Sequence, residues 1–295
     1  MNPETLARLS GLHTERRALS YRWRDAALYA LAVGAGGDPD ELCYTYEGDM
    51  KALPTFGVLP YWGTVHVTPR LSRPTSVPVL AEELLQPEAS FVNLDYELLL
   101  HRPINPIEGT FLYQDQAIGV YDRGQGRGLA LRSQLEVCDG AGRLLCTNRC
   151  TTLFPTLGGF DGPSMPAWEV SIPQRAPDLT AEDQLSRTQH LLYRLTGDTN
   201  LVHCDPQTAQ SRGLQGPFVH DLCGLGYACR MAIRALIPAQ PERVTRIAAQ
   251  FKRILYPGAP LQLQLWIVEE GKAFFRLLDQ ETGKPALDRG VFQFQ

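Results

Sequence analysis

One short run brings together an acid, an amide and an imidazole. Asp198 follows Gly197, and Asn200 and His203 come within the next five residues. General acid–base catalysis needs one group that removes a proton and another that delivers one. A carboxylate and an imidazole on one turn could do this to a single water molecule. Asp198 and His203 are therefore the candidate catalytic residues, with Gly197 and Asn200 orienting them; the alternative is that Asp198 and Asn200 only stabilise the turn.

Two predicted helices must position this turn. Thr188 can cap a helix over 189–195 that ends at Gly197, because Thr is favoured before a first helical turn and Gly after a last one. A second helix is predicted over 217–236, where a Pro opens an apolar run. The run is apolar on nearly all sides up to Arg230, which is typical of a buried helix.

The first half of the chain repeats this arrangement without its chemistry. A helix is predicted over 26–33, capped by Asp25, and it contains Leu-Tyr-Ala-Leu where the later helix has Leu-Tyr-Arg-Leu. Aligned on these tetrapeptides, the positions of Asp198, Asn200 and His203 are taken by Gly34, Gly36 and Pro39. A second sequence similarity relates residues 53–59 to residues 216–222, since in each range a Pro opens an apolar run. The sequence thus predicts a duplicated unit of which only the second copy carries acid–base residues.

Antiparallel strands are predicted after each long helix. Those of the first half cover 91–100, 110–121, 129–137 and 144–154, and those of the second half cover 244–255, 261–269, 273–278 and 291–294. Residues 261–266 alternate between apolar and polar, which is typical of an antiparallel sheet with one solvated face. The predicted fold class is α+β. We expect domains over 1–156 and 181–295, joined by a linker at 157–180 that is rich in Gly and Pro.

The run from Tyr193 to His203 resembles the signature of the MaoC-like, R-specific enoyl-CoA hydratases, also called hydratase 2. That signature reads aromatic, spacer, aliphatic, small, Gly-Asp-x-Asn-Pro-aliphatic-His, and the one mismatch here is Leu201 in place of Pro. Residues 23–36, 53–58 and 256–258 are similar to the double hot-dog hydratases of peroxisomal multifunctional enzyme type 2 and their bacterial relatives. The resemblance implies a double hot dog, in which each repeat wraps an antiparallel sheet around a central helix. It also implies that the second repeat is catalytic and that the first accommodates a bulky acyl-CoA.

The same resemblance implies a hydro-lyase of fatty acid metabolism, of the kind used in β-oxidation. The reaction would be reversible syn hydration of a trans-2-enoyl-CoA to an (R)-3-hydroxyacyl-CoA. Asp198 and His203 would act on one water, and the sequence leaves open which of them is the base. No cofactor is expected, because coenzyme A is part of the substrate. Two alternatives stay open: a hot-dog acyl-CoA thioesterase and a non-catalytic acyl-CoA-binding partner subunit. The acyl group, and a carrier protein in place of coenzyme A, are open as well.

The start of the 217–236 helix departs from this family, which usually has His-Gly where the chain has His220-Asp221. The resemblance implies that the backbone N–H of Asp221 faces the thioester oxygen and that His220 contributes to substrate binding. A carboxylate beside that oxygen would oppose developing negative charge. Alternatively, Asp221 turns toward the helix N-terminus or toward a cation such as Arg230, and this is the orientation we expect.

Composition limits the partners and the location. The net charge of −4 gives no reason to expect nucleic acid. The longest apolar stretch, 26–35, is shorter than the roughly 20 residues that span a bilayer, so no membrane insertion is expected.

Seven cysteines in a long chain indicate free thiols in a reducing compartment, and we expect a cytoplasmic protein. The cysteine spacing matches no zinc site, so no metal is expected; a homodimer is left open.

An anionic substrate needs local cations, because the net charge of the chain is negative. The candidates for the coenzyme A phosphates lie in the catalytic half: Arg230, Lys252 and Arg253. Each is equally compatible with a solvated charged surface. Three aromatic residues are expected either in the core or around the acyl chain: Phe56, Tyr61 and Trp62.

Overall fold

The computed structural model describes residues 1–62, 76–85 and 90–295. Its α-helices are α1 (Pro3–Ser10), α2 (Trp23–Ala32), α3 (Leu59–Trp62), α4 (Val77–Leu85), α5 (Gln189–Arg194), α6 (Pro206–Ser211) and α7 (Asp221–Leu236). Short 3-10 helices lie at Pro39–Tyr44, Glu47–Asp49, Pro54–Val58, Leu201–His203 and Pro241–Arg243. Within the described residues, no helix is both long and apolar enough to cross a bilayer.

The strands of the described residues form one antiparallel sheet. The first half contributes β1 (Arg17–Arg22), β2 (Val92–Leu100), β3 (Glu108–Asp122), β4 (Leu129–Cys138) and β5 (Leu144–Phe154). The second half contributes β6 (Leu179–Gln184), β7 (Val244–Phe251), β8 (Pro260–Glu269), β9 (Lys272–Asp279) and β10 (Lys284–Phe294). The strand order is β1-β3-β4-β5-β2-β7-β10-β9-β8-β6, so each half forms five neighbouring strands. The halves join where β2 pairs with β7.

The long helix α7 is the buried centre of the second half. All of its residues from 222 to 233 are buried, and it contacts β6, β7, β8 and β10. The alternation predicted for residues 261–266 is present, since Leu261, Leu263 and Leu265 are fully buried while the glutamines between them are only partly buried. The sheet therefore presents one apolar face to α7, as a period-2 strand pattern requires.

The first half has no continuous counterpart of α7 among its described residues. Its corresponding region consists of the 3-10 helix Pro54–Val58 and the short α3, and α4 begins later in the chain. The start of α4 is held by Asp115, whose Oδ2 accepts the backbone N–H of Val77 at 2.7 Å. Phe56 and Tyr61 belong to the core, which confirms one of the two roles expected for them. The Trp62 side chain lies outside the described residues.

Several element boundaries differ from the sequence predictions. α7 begins at Asp221 and not at Pro217, because Val219 is extended and its N–H donates to the Leu255 carbonyl at 2.8 Å. The prediction that Asp25 precedes α2 as its cap is wrong. The helix begins at Trp23, and the Asp25 carboxylate accepts the backbone N–H of Arg22. Strands β1 and β6 were not predicted.

Between Phe154 and Leu179 the chain forms neither helix nor strand. It is nevertheless tied to the second half of the sheet. Val170 packs against β7 and β10, and the indole N–H of Trp168 donates to the Arg289 carbonyl at 2.9 Å. Further along, Trp266 donates to the carbonyl of Arg175 at 2.9 Å. The connection between the halves is therefore an ordered strap.

Candidate active site

The candidate acid and imidazole lie on a tight turn that follows α5. Gly197 has a φ of 136°, a conformation that side chains rarely adopt, so the turn needs glycine there. The chain then buries Asp198, with 4% of its surface exposed. The 3-10 helix Leu201–His203 follows and brings His203 back toward the same point.

Asn200 stabilises this turn through both its backbone and its side chain. Its N–H donates to Asp198 Oδ1 at 3.1 Å, which fixes the orientation of the carboxyl group. Its side-chain oxygen accepts the N–H of Val202 at 3.3 Å and so caps the 3-10 helix. The side chain itself is exposed. Asn200 therefore orients the acid and shapes the turn, as both interpretations of the sequence allow.

Three side chains meet at this point. The ligand-type atoms of Asp198, His203 and His220 all lie within 4.8 Å of one another. The rings of His203 and His220 stack with centroids 3.8 Å apart and an interplanar angle of 25°. His220 Nε2 lies 3.3 Å from the backbone oxygen of Asp198 and 3.9 Å from its Oδ2. Tyr193 packs against the His220 ring at a centroid distance of 4.9 Å.

Hydrogen bonds assign the tautomers of both imidazoles. His203 Nδ1 lies 3.0 Å from the carbonyl oxygen of Phe218, which can only accept. Nδ1 therefore carries the hydrogen, and Nε2 presents a lone pair. By the same argument, His220 Nε2 carries a hydrogen and donates to the Asp198 carbonyl. His203 Nε2 is thus ready to accept a proton, while His220 holds the ring and the acid in place.

Burial sets the charge states of the cluster. Desolvation, reinforced by His220, lowers the pKa of His203 to about 3, so its ring is neutral at pH 7. Desolvation also lowers the pKa of His220 to about 3. The pKa of the Asp198 carboxyl is raised by desolvation, and His203 and the Asn200 N–H offset part of that shift. A neutral imidazole beside a carboxyl of raised pKa places a proton acceptor next to a potential proton donor.

Sequence reasoning missed two groups that tune this cluster. The Arg194 guanidinium, on α5, lowers the pKa of both Asp198 and His220. The Phe218 carbonyl sets the tautomer of His203. Arg194 stands at a spacer position within the signature run, so a search for cations near the motif could have found it. A backbone carbonyl leaves no signal in the sequence.

The N-terminus of α7 starts beside the cluster. His220 is the residue before the first turn, and its carbonyl accepts the N–H groups of Cys223 at 3.0 Å and Gly224 at 3.2 Å. The N–H groups of Asp221 and Leu222 come earlier in the helix and have no intrahelical acceptor. Together with the positive end of the helix dipole, they can stabilise an oxyanion.

The Asp221 side chain faces Asn93 of β2 and lies near Asp198. Burial raises the pKa of Asp221 to about 7; the Asn93 side chain, as a hydrogen-bond partner, lowers it, and the charge of Asp198 raises it. Of the two orientations expected for Asp221, toward the helix N-terminus or toward Arg230, the one toward Arg230 is wrong. Arg230 is 1% exposed and forms buried ion pairs with Glu41 of the first half and Asp183 of β6.

These ion pairs also overturn the prediction of Arg230 as a phosphate contact, because its guanidinium is enclosed between two carboxylates. Lys252 and Arg253 are exposed and follow β7. They line a cavity of about 910 Å³ together with two further cations, Arg187 and Lys284. This cavity adjoins the segment leading to α7, since its wall includes residues on both sides of Leu255, the partner of Val219.

An acid and two imidazoles are also a common set of metal ligands. The nitrogens His203 Nδ1 and His220 Nε2 are engaged with backbone carbonyls. The arrangement favours hydrogen bonding and proton transfer over metal binding.

Comparison with known proteins agrees with the duplicated fold. A family model described as MFE-2 hydratase 2 N-terminal domain matches residues 19–155, and one described as MaoC like domain matches residues 169–289. The peroxisomal enoyl-CoA hydratase 2 of Arabidopsis thaliana is 32% identical, over 91% of this chain and 88% of its own length. The chain belongs to the MaoC-like enoyl-CoA hydratase 2 family.

Two solved structures show the same architecture. A MaoC-like dehydratase from Phytophthora capsici has a TM-score of 0.85 and 28% identity, and the match covers 100% of this chain and 99% of that one. A Mycobacterium tuberculosis protein described as having a double hot-dog fold has a TM-score of 0.57 and 18% identity, with 97% and 96% coverage. The MaoC-like family and the double hot-dog fold predicted from the sequence are thereby confirmed.

Proposed function

We propose that this protein catalyses the reversible hydration of a trans-2-enoyl-CoA to an (R)-3-hydroxyacyl-CoA. The single observation that carries the proposal is the buried pair Asp198 and His203 beside the N-terminus of α7. The pair supplies two proton-transfer groups within 4.8 Å, and the helix supplies N–H donors for a thioester oxygen. The name of the Arabidopsis relative, an enoyl-CoA hydratase 2, supports the same reaction.

His203 is the base in this proposal. Its unprotonated Nε2 takes a proton from water as the water oxygen bonds to C3 of the enoyl group. In this step Asp198 acts in its protonated form and delivers its proton to C2; burial raises the pKa of its carboxyl, which favours that form. Return of the proton from His203 to Asp198 restores both groups. Because the two groups lie on one side of the substrate, oxygen and hydrogen add to the same face, which gives syn addition.

The thioester oxygen gains negative charge while oxygen adds to C3. Donors fixed in place before the reaction stabilise such charge without reorganisation. The N–H groups of Asp221 and Leu222 fill this role, and the dipole of α7 adds to it. No cofactor takes part, since the acid, the base and the donors belong to the protein and coenzyme A belongs to the substrate.

Lys252 and Arg253 bind the coenzyme A phosphates in this proposal, and Arg187 and Lys284 extend the same cationic cavity. Two acidic residues, Asp279 and Glu281, also line it, which limits the net attraction. Contacts of this kind act on ground state and transition state alike. Substitution of the cations should therefore raise KM and leave kcat unchanged.

The deciding experiment follows loss of enoyl-thioester absorbance with purified protein and a panel of enoyl-CoAs. Hydration removes the conjugated double bond and releases no thiol. Release of free coenzyme A would instead indicate a thioesterase, and tight binding without either change would indicate a non-catalytic partner subunit. Either of these two outcomes would overturn the proposal.

The setting of the reaction is part of the same proposal. We place the protein in the cytoplasm and the reaction in the β-oxidation branch of fatty acid metabolism, with a homodimer as the assembly. All seven cysteines are free thiols, which supports a reducing compartment. Fluorescence microscopy of a tagged chain tests the compartment, and light scattering of the purified protein tests the dimer.

A further inference from the structure

The first half of the molecule has a cavity at the place that corresponds to the cationic cavity of the catalytic half. In the catalytic half, that cavity lies where the chain leaves β7, beside the hairpin that joins β9 to β10. In the first half, a cavity of about 1100 Å³ lies where the chain leaves β2, beside the hairpin that joins β4 to β5. Because the strand order is the same in both halves, β2, β4 and β5 correspond to β7, β9 and β10. The two cavities are therefore counterparts.

Backbone hydrogen bonds show the same correspondence at single residues. The N–H of Arg102 donates to the carbonyl of Leu145 on β5, at 3.3 Å. The N–H of Arg253 donates in the same way to the carbonyl of Ala286 on β10, at 3.4 Å. In each half, the N–H of the preceding residue donates to the same carbonyl at 2.8 Å. Arg102 therefore occupies the position of Arg253, which is one of the proposed phosphate contacts.

Two guanidinium groups of the first-half cavity are available to an anion. Arg22 and Arg102 both line the cavity and are exposed. Among the residues that the structure describes, neither side chain forms an ion pair. A guanidinium group presents several donors in a planar fork that matches the oxygens of a phosphate. The pair is therefore suited to phosphate groups.

Carboxylates also line this cavity, and most of them are engaged. Asp139 pairs with the Arg143 side chain at 2.7 Å and accepts the backbone N–H groups of its own hairpin. The Asp25 carboxylate accepts the backbone N–H of Arg22 at 2.8 Å. The remaining carboxylate, that of Glu108, has no ion pair with any described residue. Two unpaired guanidinium groups thus stand against one unpaired carboxylate, which leaves a local excess of positive charge.

A smaller cavity, of about 290 Å³, adjoins the first. Arg102 and Pro103 line both cavities. Most residues of the smaller cavity are apolar, and its buried wall includes Pro54, Ile104 and Val244. Val244 belongs to the second half, so the smaller cavity lies between the two halves. Together the cavities offer a cationic end and an apolar end, which suits a ligand with phosphates on a long, mostly uncharged arm.

We propose that these two cavities form a second, non-catalytic binding site for coenzyme A. The phosphates pair with Arg22 and Arg102, and the pantetheine arm enters the smaller cavity. No hydration follows at this site, because the acid–base positions of the first half are occupied by Gly34, Gly36 and Pro39. The inference rests on the proposed function, since that function assigns coenzyme A to the counterpart cavity.

Isothermal titration calorimetry of the intact chain with coenzyme A tests the second site. We expect two binding events per chain. Joint substitution Arg22→Ala and Arg102→Ala should weaken one event by at least about tenfold, because it removes charge-assisted hydrogen bonds to phosphate. Joint substitution Lys252→Ala and Arg253→Ala should weaken the other event. The matched control is Arg24→Ala, which removes an exposed arginine that lines neither cavity.

A single binding event in the parent protein would overturn the second site. Two events of unchanged strength in the variant that lacks Arg22 and Arg102 would also overturn it. Adenosine 3′,5′-bisphosphate lacks the pantetheine arm and should bind the second site more weakly than coenzyme A does. Equal affinity of the two ligands would contradict the use of the smaller cavity and so overturn the site as proposed.

Hydration of enoyl-CoA is measured in parallel on the same preparations. Two binding events without hydration would overturn the proposed function and leave the second site intact. Hydration with a single binding event would overturn the second site and leave the proposed function intact. Circular dichroism on each variant ensures that a weakened event reflects the lost contacts and not a lost fold.

Discussion

The turn that carries Asp198 in the second repeat has a counterpart of opposite character in the first. In the second repeat, Asp198 enters the interior and meets His203. In the first, Gly34 stands at the position of Asp198, and a Cβ there would lie 2.5 Å from the ring of Tyr227. Tyr227 comes from α7 of the other repeat, and its hydroxyl donates to Gln189 Oε1 at 2.8 Å. The space around the lost site is thus filled by the catalytic repeat.

The repeats also differ at the position of the central helix. α7 is continuous over Asp221–Leu236, whereas the corresponding region of the first repeat begins with the 3-10 helix Pro54–Val58 and the short α3. A continuous helix supplies an N-terminus with free donors and a strong dipole. Among the described residues, the first repeat has neither the acid–base residues nor a long continuous helix, and the comparison predicts that chemistry resides on one side only.

The largest expected effect is on turnover. Asp198→Asn and His203→Ala should each lower kcat by about 10²–10⁴-fold, because each removes a positioned proton-transfer group. The matched control is Pro39→Ala, the first-repeat counterpart of His203, which should change kcat by less than about twofold. Steady-state hydration kinetics measure all three. Near-normal turnover in Asp198→Asn or His203→Ala would contradict the assignment of the pair.

The next effect is on stability, at the lost site. Gly34→Asp should not create a second active site and should lower the free energy of unfolding by about 3 kcal/mol or more. Gly34 has a φ of 83°, and a side chain introduced there would collide with the ring of Tyr227. Gly36→Ala is the control, since its φ of 107° is equally unfavourable but its nearest neighbour is 3.7 Å away. Urea unfolding measures both variants, and the control should lose only about 1 kcal/mol of its free energy of unfolding. Equal losses in the two variants would show that Tyr227 does not fill the site.

A smaller effect concerns pH. Because the pKa of Asp221 is about 7, its carboxyl is neutral below pH 7 and charged above it. A negative charge ~8 Å from the thioester oxygen would raise the barrier by roughly 2 kcal/mol at an effective dielectric of about 20. The rate, kcat/KM, should therefore fall as pH rises through 7, by roughly 30-fold. Asp221→Asn should remove this decline. An unchanged profile in the variant would exclude Asp221 as the cause of the decline.

The smallest effect concerns the connection between the repeats. Cutting the strap between Ser164 and Met165, through an inserted protease site, should leave activity within about twofold. Backbone pairing of β2 with β7 joins the repeats independently of the strap. Size-exclusion chromatography should show the two pieces travelling together. Separation of the pieces would show that the covalent connection holds the sheet together.

Local patterns predicted most of the fold, and their failures have physical causes. β5 was predicted with its observed bounds because it lies between the turn signal Asp139-Gly140 and Pro155. β6 was missed because it is an edge strand with the sequence Leu-Thr-Ala-Glu-Asp-Gln, and none of its residues is buried. The start of α7 was placed too early, since Pro217 is a strong helix-start signal, yet the pairing of Val219 with Leu255 keeps this segment extended.

The site was predictable only where it is local in sequence. Asp198, Asn200 and His203 stand in one run, and their spacing carries the chemistry. Asn93 could not be found in this way, because it reaches Asp221 from the other repeat through the pairing of β2 with β7. Arg230 was misassigned for the same reason: a single Arg on an apolar helix gives no sign that Glu41 and Asp183 enclose it.

The enclosed Arg230 has a consequence for the history of the molecule. Its charge is balanced by one carboxylate from each repeat, so a catalytic repeat that parted from its neighbour would keep a guanidinium with half of its counter-charge removed. Breaking such a buried arrangement typically costs about 3–5 kcal/mol, a large share of the stability of a domain. Once this cluster formed, the joining of the two copies became difficult to reverse. A return to a free-standing single repeat would first require loss of Arg230 itself.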